Sequence, residues 1–175
     1  MMEHSDLIPL ALPIEPSQLV SFYPLLQEGV LIKTWVGWSI QTFLEKGLDL
    51  SQEFIKDKVK TVFLDGKAVD DLTAARIRDG SVLSLSGALP GLVGATLRAG
   101  GFFAGLRSQI TYREENSPVL EQEGMITVKV FNLLLKELAP LILKKGIWVR
   151  KKDLAEDQNG GKALLPGPSE PTGCL

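Results

Sequence analysis

Two Asp-Gly pairs, Asp65-Gly66 and Asp79-Gly80, each stand against an apolar run, and together they constrain the fold more than any other feature. The first separates residues 59–64 (Val-Lys-Thr-Val-Phe-Leu) from Lys67-Ala68-Val69. Both central residues of a type I′ turn need positive φ, so this pair predicts a tight hairpin. The second leads into Val82-Leu83-Ser84-Leu85, where leucine and serine alternate with the period of a half-buried strand. Upstream, residues 30–36 are rich in β-branched side chains, with Val30, Ile32 and Val36 on one face. Ser39 is placed to cap a short helix bearing Ile40, Phe43 and Leu44, and Lys46-Gly47 to stop it. Ser51 caps a further turn or two, and Asp70 or Asp71 a turn over residues 73–76.

Before residue 28 the chain is punctuated by Pro9, Pro13, Pro16 and Pro24, and residues 19–23 read as an edge strand. Beyond residue 107 the pattern gives a strand at 108–113, a charged loop at 114–124, and an alternating strand at 126–131. Asn132 then caps a helix over 133–145, and a last strand follows at 147–150. Pro140 sits inside that helix and should kink or split it. Residues 153–175 read as a disordered tail.

The order of elements in residues 19–86 resembles that of the ubiquitin-like β-grasp: strand, turn, strand, helix, strand, a turn-rich link and a closing strand. Residues 62–69 (Val-Phe-Leu-Asp-Gly-Lys-Ala-Val) followed by 77–82 (Ile-Arg-Asp-Gly-Ser-Val) resemble the small sulfur-carrier proteins of molybdopterin and thiamine synthesis. The resemblance implies an α+β fold, a β-grasp-like mixed sheet with one helix, here extended by a second strand–helix–strand unit. Four segments follow: an N-terminal arm (1–18), the β-grasp-like domain (19–86), a Gly-rich segment with its extension (87–152) and the tail (153–175). In that family a free C-terminal Gly-Gly is adenylated and carries the cargo. Gly100-Gly101, after Leu97-Arg98-Ala99, is the corresponding pair here and is internal.

The chain of 175 residues has one cysteine, Cys174, and one histidine, His4, with 23% charged residues and a net charge of −2. A Cys/His zinc site, a Cys–His nucleophile pair and a Ser–His–Asp triad are therefore not expected in the core. Asp65, Asp70, Asp71, Asp79, Glu114 and Glu115 are the acidic candidates, with turn and capping chemistry as the simpler reading of the aspartates. No cofactor and no metal site is expected. The acidic start and Pro9 and Pro13 speak against a secretory signal, which leaves a cytoplasmic reading.

Residues 80–97 carry no charge, yet Pro90 and repeated glycines oppose a membrane span, so the segment is expected to pack against protein. Leu89, Leu92, Val93, Leu97, Phe102 and Phe103 would then form a contact surface. The 133–145 helix is apolar nearly all round, so Leu134, Leu138 and Leu141 belong either to a core or to an interface with a partner, itself a second copy or another protein. Lys144, Lys145, Arg150, Lys151 and Lys152 surround Trp148 as a basic patch. Such a patch can grip single-stranded nucleic acid, but the isoelectric point near 5.5 and the following acids weigh against it. Three functions follow: a non-catalytic interaction or assembly module, a carrier processed after Gly101, or a small-ligand binder with its pocket between the two halves.

Overall fold

Asp65 (φ 51°) and Gly66 (φ 79°) both take positive φ, and their turn joins β3 (Thr61–Leu64) to β4 (Lys67–Ala68) in antiparallel register. The computed structural model describes residues 7–10, 16–89, 91–102, 111–112 and 120–150. The remaining strands are β1 (Leu7–Leu10), β2 (Val30–Val36), β5 (Val82–Ser86), β6 (Gln122–Phe131) and β7 (Ile147–Arg150). All seven lie in one mixed sheet in the order β1-β7-β2-β6-β5-β3-β4. The fold is mixed α+β. Among the described residues five α-helices accompany the sheet: α1 (Tyr23–Glu28), α2 (Ile40–Thr42), α3 (Gln52–Lys58), α4 (Gly91–Leu97) and α5 (Leu134–Lys145).

Alternation decides which face of the sheet is covered. Val30, Ile32, Val62, Leu64, Leu83, Leu85, Ile126, Val128 and Val130 are all buried on one side. They merge with Leu26 of α1, Phe43, Leu44 and the buried residues of α5 in one core. Each such side chain contributes roughly 1.5–3 kcal/mol by leaving water. Ser39 and Ser51 cap α2 and α3, their hydroxyls accepting from the amides of Thr42 (3.0 Å) and Phe54 (3.1 Å). After α2 the helix widens into a π-turn, Phe43–Gly47, closed by the Leu48 amide donating to the Phe43 carbonyl at 3.0 Å.

Several expectations need correction. Residues 19–23 are not an edge strand: Pro16–Phe22 is a 3-10 helix that runs into α1. Pro24 occupies the first turn of α1, where its missing N–H costs nothing, and Phe22 and Leu26 bury one helical turn apart. One helix is expected in the β-grasp-like part and one in the extension; the described residues hold five α-helices, of which residues 91–97 supply one. The N-terminal arm contributes β1, which pairs with β7, so the arm, the first half and the extension share one sheet.

Asn132 takes φ 58° and its side-chain amide donates to Ser86 Oγ (2.9 Å) instead of capping α5. Pro140 does not split α5, which is one helix of 12 residues because residues on both sides of it bury against the same sheet. Of the strand expected at 108–113, only 111 and 112 lie within the described residues. There Thr111 bridges Ala68, and the Tyr112 amide donates to the Ala68 carbonyl at 2.7 Å. Of the charged loop expected at 114–124, residues 114–119 lie outside the described residues, and 122–124 are not loop: β6 already begins at Gln122, where residues 122–124 pair with Val36, Trp35 and Thr34 of β2. The tail at 153–175 lies outside the described residues.

Candidate functional site

The chain has three tryptophans, and all three line one trough of about 530 Å³. Its wall is the second half of β2, Ile32 to Trp35. Its floor is Phe43, Lys46 and Gly47 of the π-turn, and its ends are Trp38 on one side and Lys145-Gly146-Ile147-Trp148 with Pro9 on the other. The trough therefore lies where the two halves of the sequence meet.

Local structure places each ring. Leu31 is opposite Trp148 in the ladder, so residues 31, 33 and 35 share the face of Trp148, away from the core. Trp35 is 46% exposed there. Trp38 is half-buried against the core, and its carbonyl accepts from the Ile77 amide (3.0 Å) while the Gly37 amide donates back to the Ile77 carbonyl (2.8 Å). Gly37 has φ 90°, which turns the chain out of β2 and brings Trp38 round the trough's end. Beneath, a Cβ on Gly47 would stand 2.7 Å from the Phe43 ring, so only glycine lets the π-turn close there.

Three ammonium groups stand around the aromatic lining. Lys33 pairs with Glu123 at 2.8 Å and Lys145 with Asp49 at 3.7 Å, both in solvent-exposed geometry. Lys46 makes no ion pair among the described residues. Among the described residues no carboxylate, histidine or cysteine lines the trough, and no group of three His, Cys, Asp or Glu side chains is placed to hold a metal. Aromatic faces, cationic tips and exposed backbone make a surface that recognises by stacking, burial and hydrogen bonding.

No protein-family model, curated protein or solved structure matches this chain.

The residues singled out in the sequence fall in several places. Of the two readings of the 133–145 helix, core or interface, Leu134 and Leu138 take the first: they are buried in the chain's own core, with Leu141 half-buried beside them. Leu89 and Leu97 are half-buried, and Phe102 is 95% exposed. The side chains of Leu92 and Val93, and all of Phe103, lie outside the described residues. Among the described residues no helix is long and apolar enough to cross a membrane.

Gly100 (φ 60°) is held to the body, its amide donating to Asp70 Oδ1 at 2.9 Å. The Ala99 amide donates to the Lys60 carbonyl (2.9 Å) and the Gly101 amide to the Arg98 carbonyl (3.1 Å). A cut after Gly101 would part β1 to β5 from β6, α5 and β7.

Of the basic patch, Lys145 and Trp148 reach the trough and Lys144 is exposed. The side chain of Arg150, with Lys151 and Lys152, lies outside the described residues. The aspartates serve the backbone: Asp65 accepts from the Val82 amide (2.7 Å) and Asp71 from the amides of Thr73 and Ala74. Asp71 is held below the ordinary carboxylate range, first by the Thr73 hydroxyl and then by those two amides. Glu114 and Glu115 lie outside the described residues. Sequence reasoning missed Trp35, Trp38, Lys33, Lys46 and Pro9. The available signal was Trp35 itself, a large ring at an outward position of a strand whose other face carries Ile32 and Val36.

Proposed function

We propose that this chain is a non-catalytic binding module and that the tryptophan trough is its binding site. The observation that carries this reading is the gathering of every tryptophan, with Lys33, Lys46 and Lys145, around one open concavity. Tryptophan is the costliest residue to leave facing water and the richest in contact area once covered. A volume of about 530 Å³ falls within the range of ligand sites, and the lining is apolar with a few polar groups at its rim.

The sheet also supports a β-grasp-like reading with a changed strand sequence. The resemblance calls for a strand hairpinned on residues 30–36 from the N-terminal side, a position that the 3-10 helix and α1 do not supply. β6 lies there instead, antiparallel to β2 and parallel to β5, while β2, the helices, β3, β4 and β5 keep the family's order. Such a scaffold serves many roles, so the function rests on the trough and not on the fold.

Anilinonaphthalene sulfonate, an aromatic anion, tests the site. It is expected to bind saturably at one site with energy transfer from tryptophan, and to lose that binding in Trp148→Ala and in Lys46→Glu. Unsaturable binding, or binding indifferent to both substitutions, would remove the trough as the site.

A further inference from the structure

We propose that the trough takes an extended peptide, added as an extra strand on the open edge of β2; this inference rests on the trough being a binding site. The ladder fixes which backbone groups face the trough. Met125 donates its N–H to Asp79 Oδ1 and accepts from the Gly80 amide, each at 2.8 Å, so both of its backbone groups point away from β2. Lys33 is directly opposite Met125. Opposed residues of an antiparallel pair turn their N–H and C=O both toward each other or both away. Lys33 therefore turns its pair outward, and so does Trp35, opposite Glu123 and two residues on.

On that outward side β7 lies beside β2 but is paired with it, among the described residues, only at Leu31. The N–H and C=O groups of Lys33 and Trp35 have no backbone partner among the described residues. An unpaired run of this kind is a template for another strand. The open stretch from Lys33 to Val36 is roughly 13 Å long at strand rise, enough to seat about four residues of a guest.

Side chains of an added strand alternate between the two faces of the sheet. Those on one face meet Trp35 and Trp148; those on the other meet Lys46 above the Phe43–Gly47 floor. Lys33 and Lys145 already face Glu123 and Asp49, whereas among the described residues Lys46 has no such partner and no acid lines the trough. The guest is thus a segment with apolar side chains at alternate positions and a carboxylate between them.

The test is a random heptapeptide phage library selected on the full chain, followed by resynthesis of a binder with each amide N-methylated in turn. Selected peptides are expected to alternate apolar and acidic residues. Methylation at every second position should weaken binding about tenfold, the loss of one hydrogen bond between buried groups, while methylation at the intervening positions changes it little. Lys33→Pro removes the outward N–H, which the β2–β6 ladder does not use, and should weaken binding to a similar degree in a chain whose near-ultraviolet dichroism is unchanged. Methylation effects without alternation, or peptide binding that survives Trp35→Ala, would overturn strand addition. Tryptophan-dependent dye binding with no peptide selected would overturn it too, and would leave the trough as a small-molecule site.

Discussion

Asp79 and Met125 are tied by two hydrogen bonds: the Asp79 carboxylate accepts from the Met125 amide at 2.8 Å, and the Met125 carbonyl accepts from the amide of Gly80, the residue after Asp79, at the same distance. The turn ahead of β5 is thereby stitched to β6, which comes from the other half of the chain. Asp79→Ala is expected to lower unfolding stability by about 1–2 kcal/mol, the range for a hydrogen bond to a charged acceptor near the surface. Asp79→Asn, which keeps an acceptor oxygen, should lose less. Urea denaturation distinguishes the two, and equal losses would contradict the assignment.

Pro140 lies inside α5, where it denies a donor to the carbonyl of Lys136. It is exposed, so its replacement disturbs no core contact. Pro140→Ala restores the helix bond, and after the extra freedom of the unfolded chain is subtracted the gain should be about 1–2 kcal/mol. A lower urea midpoint in the variant would show that the ring is needed.

Thr61 has its hydroxyl buried with no hydrogen-bond partner among the described residues. Valine has the same shape without the hydroxyl. Thr61→Val should therefore raise stability by about 1 kcal/mol, the cost of leaving a buried polar group unpaired. Thermal unfolding reads this directly; a fall in the midpoint would mean that the hydroxyl is satisfied in solution.

Asp71 supplies a pH dependence of known sign. Its folded-state pKa is lowered from 3.8, so its contribution is fully present above that value and is lost as pH falls through the folded-state pKa. The carboxylate is exposed, which keeps the effect below about 1 kcal/mol. Between pH 5 and pH 2, Asp71→Asn should lose less stability than the parent chain. Identical slopes in the two proteins would refute the assignment.

Local signals were legible and distant ones were not. The Asp65-Gly66 hairpin, the Ser39 and Ser51 caps and the alternation of β5 each depend on neighbours within a few residues, and the structure has them where the pattern puts them. The partner of β2 was not legible, because pairing Val30 with Val128 depends on contacts nearly a hundred residues away. Proline at 9 and 16 disguised β1 and the 3-10 helix, since it marks an edge strand or a helix start with equal ease. The trough escaped notice for the same reason: Trp35 and Trp38 are close in sequence, but Trp148 and Lys145 reach them only through β7 and the end of α5.

The position of β6 has a consequence for synthesis. A ribosome releases β2 and β5 long before the strand that belongs between them, and contacts of such long sequence separation form slowly. For that interval Ile32, Leu83 and Leu85 have no central strand to pack beside, and the nascent chain is a client for whatever shields greasy surface near the exit tunnel. Synthesis must run past residue 131 before β2 and β5 can be joined through β6.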